Sequence, residues 1–112
     1  MNNKYIQELD ASIASAKETI ELGAALERLF SNKDFKKVVL NGYFKDEAVR
    51  LVHLRGEPTN QSFEALASLD NKIMAISSFS IYLKNIQKEA ELADKTVNLD
   101  EQTRNEISLE DN

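Results

Sequence analysis

The 112-residue, 12.7 kDa chain has room for one modest core and is too short for two independent ones, so a single domain is expected. Hydrophobic residues at 42% and charged residues at 29% indicate neither wholesale disorder nor a membrane protein, and zero cysteines exclude disulfides and thiolate metal sites. The net charge of −5 gathers at one end, where Asp94, Asp100, Glu101, Glu106, Glu110 and Asp111 meet only Lys95 and Arg104; a nearly neutral body with an acidic end speaks against nonspecific nucleic-acid binding, which needs many cations on phosphate.

A first helix is predicted over about residues 3–30. Ile6, Leu9, Ile13, Ala16 and Ile20 follow alternating three- and four-residue steps, the narrow coiled-coil seam by which one helix meets another. Glu8, Lys17, Glu18 and Glu21 are good helix formers for the exposed positions. Gly23 falls where the next seam residue belongs, and the apolar set moves to Leu22, Leu26, Leu29 and Phe30. A kink, a new face and a close helix crossing are all compatible with that shift.

Ser31-Asn32-Lys33-Asp34 breaks the pattern, with Ser31 and Asp34 spaced as in a capping box. A second helix, about 32–55, buries much of its circumference through Phe35, Val38, Val39, Tyr43, Phe44, Ala48, Leu51, Val52 and Leu54. Asn41-Gly42 is a turn signal and Val38-Val39-Leu40 has strand character. No second alternating run exists for a strand to pair with, so helix is expected.

Arg55-Gly56-Glu57-Pro58 is the clearest stop, the glycine suited to a left-handed cap and the proline unable to continue a helix. Thr59 and Asn60 are expected to cap the next one. Asn60-Gln61-Ser62 fits the glycosylation pattern, but the chain opens with no signal-peptide core and the segment reads as a helix start. The third helix, about 60–94, carries Phe63, Leu66, Leu69, Ile73, Ile76, Leu83 and Ala90 along one stripe, with Phe79, Tyr82 and Ile86 beside it. At a length on the order of 50 Å it exceeds the width of a globule of this size, so one end is expected to project or to pack on another subunit.

Residues 95–112 are polar, acidic and aperiodic and read as a tail, within which Val97, Leu99, Ile107 and Leu109 are the residues to rest on a neighbouring surface. The expected fold is all-α: a three-helix antiparallel hairpin or bundle over residues 1–94, with a long third helix and an acidic C-terminal tail.

Chemistry is sparse. The single histidine, His53, sits between Val52 and Leu54 and reads as a packed or surface imidazole. There is no Glu-x-x-His or His-x-x-x-His pair and no glycine-rich phosphate loop, so no catalytic residue, metal ligand or cofactor is assigned. Asp46 and Glu47 diverge by about 100° on a helix and do not converge on one ion. Lys33, Lys36, Lys37, Lys45, Arg50 and Arg55 are diluted by Asp34, Asp46 and Glu47 and read as surface charge. Phe30, Phe35, Tyr43 and Phe44 read as core aromatics.

The stretch from Ala25 to Leu51, which holds Phe30-Ser31-Asn32-Lys33-Asp34-Phe35-Lys36-Lys37-Val38-Val39 and Asn41-Gly42-Tyr43-Phe44-Lys45-Asp46-Glu47, with a weaker likeness over Ile76 to Ile86, resembles a family of small helical proteins of tailed bacteriophages. The resemblance covers about half the chain. It implies a phage gene product without a catalytic motif, acting in the host bacterial cytoplasm or in the virion. The expectation is a noncatalytic structural or assembly protein whose partner is itself or another virion protein. It is expected to bind through Ile6, Leu9, Ile13, Ala16 and Ile20 on the first helix and Leu83, Ile86 and Ala90 on the third. The acidic end favours a second expectation, a small inhibitor of a host enzyme or defence protein.

Overall fold

A computed structural model of the chain describes residues 2–110. Asp111 and Asn112, counted with the tail above, lie outside the described residues. Among the described residues there is no strand, and no residue has a positive φ. Four α-helices, α1 (Asn2–Phe30), α2 (Lys33–Phe35), α3 (Ala48–Gly56) and α4 (Phe63–Glu110), are joined by a π-helical segment, Lys36–Glu47, and a 3-10 turn, Pro58–Asn60.

The junctions follow from local hydrogen bonding. Ser31 does not cap the second helical stretch; it still belongs to the last turn of α1, its N–H donating to the Glu27 and Arg28 carbonyls at 3.1 and 3.2 Å. Asn32 is the first residue with extended backbone (φ −73°, ψ 126°), and its Oδ1 accepts from the Phe35 N–H at 2.9 Å, which is the N-cap arrangement. The expected capping box is therefore replaced by a cap one residue later.

Asn41-Gly42 does not turn. The backbone widens instead into a π-helix of 12 residues, far longer than the single turns in which this geometry ordinarily occurs. A Cβ on Gly42 would lie 3.0 Å from the Lys37 carbonyl oxygen, five residues back. The segment delivers Tyr43 and Phe44 to Phe79 of α4, with ring centroids 6.3 and 5.4 Å apart.

The stop after α3 also differs in its cause. Gly56 is the last helical residue and is not left-handed; the break belongs to Glu57, extended at φ −71° and ψ 133°, as the residue before proline is sterically required to be. The Asn60 amide donates to the Leu54 carbonyl at 3.0 Å, and the Gln61 amide donates to Arg55 and Glu57 carbonyls at 2.9 and 2.8 Å. Ser62, rather than Thr59 or Asn60, caps α4, its Oγ accepting from the Ala65 N–H at 3.1 Å.

In place of one three-helix bundle, contacts resolve two compact units: residues 27–84, and residues 1–26 with 85–112. In the unit 27–84, Leu51, Leu69 and Ile76 form the buried cluster, flanked by Tyr43, Phe44, Ala48, Leu54 and Ile73. Arg55 of α3 clasps Asp70 of α4 through Nε–Oδ1 at 2.6 Å and Nη2–Oδ2 at 3.4 Å.

In the other unit α1 pairs with the second half of α4. The contacts Gly23 with Ala90, Ser12 with Asp100 at 2.9 Å and Asp10 with Arg104 at 2.6 Å descend one helix as they climb the other, so the pair is antiparallel. Residues 95–110 are thus not a tail: α4 runs on to Glu110. Val97 is buried and Ile107 half-buried, and this apolar anchorage repays the ordering of a segment whose composition reads as loose. Asp100 and Arg104 occupy seam positions and meet polar partners on α1, which is why no apolar period showed there.

Candidate functional site

The seam predicted to meet another chain is covered by the chain itself. Leu9 and Ile13 are buried, Ile6, Ala16 and Ile20 half-buried, and on α4 Leu83 and Ile86 are buried and Ala90 half-buried. Gly23 continues the seam; a Cβ there would overlap the Ala90 Cβ, so of the three readings left open at Gly23, the close helix crossing is the one observed. Of the eight residues assigned to an external interface, Leu9, Ile13, Leu83 and Ile86 are buried within the chain and Ile6, Ala16, Ile20 and Ala90 keep part of their surface exposed.

The polar candidates are also placed. His53 is exposed on α3, and Asp46 is exposed while Glu47 is engaged by Arg50 through Nε and Nη2. The hydrogen bond from Arg50 holds the Glu47 carboxyl below the ordinary carboxylate range, and the hydrogen bond from Arg55 does the same for Asp70. Both arginines are held above their ordinary values by the same bonds. Among the described residues no three or more His, Asp or Glu side chains come together as metal ligands. No helix among them is long and apolar enough to cross a membrane.

Two mainly apolar open grooves lie within the units, beside a more polar one of about 300 Å³ between Asp10, Ile13 and Lys17 of α1 and Glu101, Arg104 and Asn105 of α4. One, of about 420 Å³, runs between Ser12, Ser15 and Thr19 of α1 and Glu89, Leu92 and Thr96 of α4. The other, of about 320 Å³, lies between Phe44 and Ala48 on one side and Ile73, Ser77 and Ile81 of α4 on the other. Both are shallow and neither gathers convergent polar groups of the kind that orient a small ligand.

What the sequence reading missed is a set of large apolar residues that α4 leaves exposed. In the unit 27–84 this helix leaves Phe63 87%, Met74 64% and Ile81 52% exposed; in its second half Leu92 is 56% and Leu99 64% exposed. The steps between them are 11, 7, 11 and 7 residues, so successive pairs of steps close on 18 residues, which is five turns at 3.6 residues per turn. Within each unit the residues named therefore fall within a strip about 20° wide on α4. Leu69, Ile76, Leu83 and Ile86, the buried positions, point elsewhere. Polar residues fill the interval in the sequence and hide the row from a reading based on three- and four-residue steps; an 18-residue repeat of large apolar residues is the signal that finds it. Asp70 and Lys88 lie on the same side of α4 between these residues, so each unit presents separate exposed apolar side chains interspersed with charge, a surface suited to a protein rather than to chemistry.

Comparison with known proteins supplies no relative: no family model matches the chain, and no curated protein or solved structure matches it.

Proposed function

We propose that this chain is a noncatalytic helical protein of a tailed bacteriophage that works in particle structure or assembly, by binding protein through exposed apolar residues of α4. The observation that carries the reading is the exposure of Phe63, Met74 and Ile81 in the unit 27–84 and of Leu92 and Leu99 in the other. Large apolar side chains are costly to leave in water, each worth roughly 1.5–3 kcal/mol when covered, and a protein partner supplies that cover. The phage setting comes from the resemblance carried by residues 25–51. The test is infection with phage carrying Ile81→Glu or Leu92→Glu: particle yield falls and the chain is lost from purified particles or from assembly intermediates. Unchanged yield, with the wild-type chain absent from every particle and intermediate, refutes the role.

A second reading, an acidic inhibitor of a host enzyme, is favoured by Glu89, Glu91, Asp94, Glu101, Glu106 and Glu110, all exposed on an ordered helix. Such a surface competes for a basic groove in a salt-dependent way. Capture of a host enzyme that is abolished by Glu89→Lys, Glu91→Lys and Glu106→Lys together, with Ile81→Glu neutral, selects it over the first.

A further inference from the structure

We infer that the open side of the pair formed by α1 and the second half of α4 is covered by a second copy of this chain, laid on it face to face about a two-fold axis that crosses the helices midway between Ser12 and Ser15. The inference rests on the reading of Leu92 and Leu99 as protein-binding residues; it adds the part of α1 beside them and names the occupant.

The pair has two unlike sides, and every residue that makes them belongs to one unit. One side is closed by ions: Arg104 holds Asp10 at 2.6 Å and Lys17 holds Glu101 at 3.7 Å. The other is the groove between Ser12, Ser15 and Thr19 of α1 and Leu92 and Thr96 of α4. Tyr5 lies seven residues before Ser12, Leu22 seven after Ser15 and Leu99 seven after Leu92, and a seven-residue step returns a helix to within about 20° of the same face. Tyr5, Leu22, Leu92 and Leu99, all exposed, therefore border the groove. Its hydroxyls are already spent inside the chain: Thr19 donates to the Ser15 carbonyl, Thr96 to that of Leu92, and Ser12 to Asp100. Covering these groups strands none of their hydrogen bonds.

The order of residues along the two helices carries the two-fold. On α1 the groove side reads Tyr5, Glu8, Ser12, Ser15, Thr19 and Leu22, with steps of 3, 4, 3, 4 and 3, the same from either end. On α4, Glu89, Leu92 and Thr96 are mirrored in spacing and class by Glu110, Ile107 and Thr103. The centres of both orders lie equally far along their helices from the contact of Gly23 with Ala90, so one axis serves both. It lays Tyr5 over the partner's Leu22, Leu92 over the partner's Ile107, Ser12 over the partner's Ser15 and Thr96 over the partner's Thr103, a self-complementary match.

Charge selects this axis. Along the edges of the face Lys95 meets the partner's Glu106 and Lys88 the partner's Glu110, while Lys4 and Glu18 face the partner's Ala25 and Ala11. Glu8 faces the partner's Thr19. A two-fold running along the helices instead sets Glu8 level with the partner's Glu8 and Glu89 level with the partner's Glu89. The like-charged approach that remains, Glu89 with the partner's Glu110, falls at the ends of the face, in water. Area agrees as well. Two helices of about 26 residues side by side make a face about 39 Å by about 20 Å, on the order of 800 Å², which is the share each partner gives to a specific interface of standard size.

The experiment measures the mass of the full chain by light scattering and sedimentation at tens to hundreds of micromolar. The expected result is twice the 12.7 kDa of one chain. Leu22→Glu or Leu92→Glu weakens the dimer by roughly tenfold or more, with helicity by circular dichroism unchanged because both residues are exposed; Leu22→Ala and Leu92→Ala are the milder variants should the glutamates disturb folding. Ile81→Glu, in the other unit, leaves the dimer as it is. Glu89→Lys turns the one like pair into an opposite pair and tightens it, more at low salt than at high. Since the chain has no cysteine, introduced thiols report direction: Tyr5→Cys and Leu22→Cys join poorly alone and readily when mixed, under mild oxidation or with a short bifunctional thiol reagent. A monomer at every concentration, a dimer indifferent to Leu22→Glu, one loosened by Glu89→Lys, an open series of larger assemblies, or Tyr5→Cys joining alone as well as in the mixture each overturns the inference. A monomer whose Leu92→Glu variant still loses particle assembly overturns the second copy alone and leaves α4 as a binder of another protein. A dimer broken by Leu92→Glu without any change in particle yield upholds the second copy and counts against the role in assembly.

Discussion

Gly23 and Gly56 make opposite predictions for the same substitution. Both are helical glycines without positive φ, so adding a methyl group removes unfolded-state entropy and raises helix propensity, a gain of about 0.4–1 kcal/mol at either site. At Gly56 nothing lies within 4 Å of the new Cβ, and the gain is kept. At Gly23 the new Cβ meets the Cβ of Ala90, an atom fixed to the backbone with no rotamer to yield, so α1 and α4 must separate. Overpacking of that kind costs about 1–3 kcal/mol, which outweighs the gain and leaves Gly23→Ala less stable by roughly 1–2 kcal/mol. Urea denaturation reads this as a midpoint lower by roughly 0.5–1.5 M, against a rise for Gly56→Ala. Ala90→Gly in the Gly23→Ala background restores the space, so the two changes are coupled by about 1 kcal/mol or more. If Gly23→Ala stabilises as Gly56→Ala does, the helices do not approach as described and the covered seam falls with it.

Leu51 is 2% exposed at the centre of its cluster, so Leu51→Ala costs about 2–5 kcal/mol in chemical denaturation, while Val52→Ala next to it, on the exposed side, stays within about 0.5 kcal/mol. Ending the chain after Asp94 removes Val97, Arg104 and Ile107 and bares Leu9 and Ile13; circular dichroism then shows a helical loss larger than the deleted residues account for, because α1 loses its partner. Asp70 and Glu47 titrate below their ordinary range through Arg55 and Arg50. A depressed folded value means that their contribution is complete above the unfolded carboxylate range and is lost as pH falls through the folded one. Stability measured against pH therefore falls on the acid side, and Asp70→Asn makes that fall shallower.

The sequence made one side of each packing arrangement readable and hid the other. Ile6 to Ile20 kept a strict apolar period, so the first helix and its seam were legible. The strip that covers it contains Asp100 and Arg104, whose seam positions are satisfied by Ser12 and Asp10 instead of by burial in hydrocarbon, and hydropathy alone does not see such a match. The all-α class followed from the absence of a second alternating run. The π-helical course of Lys36–Glu47 did not, since a wider turn is set by how Tyr43 and Phe44 reach Phe79 and has no local residue code. The exposed apolar residues of α4 escaped because side chains 7 and 11 positions apart look solitary at the scale of one turn.

The unit made of residues 1–26 and 85–112 is discontinuous in the chain, whereas the unit 27–84 is contiguous. The contacts within residues 27–84 can therefore begin to form on a ribosome once Lys84 has emerged. The ends cannot: Ser12 waits for Asp100, 88 positions later, and Asp10 for Arg104, 94 later. Closing so long a loop is slow while the intervening chain is loose and easier once it has condensed. During synthesis α1 therefore carries its bare seam longer than any other apolar surface of the molecule. That interval is when a chaperone, or the seam of a neighbouring nascent chain, has its opening.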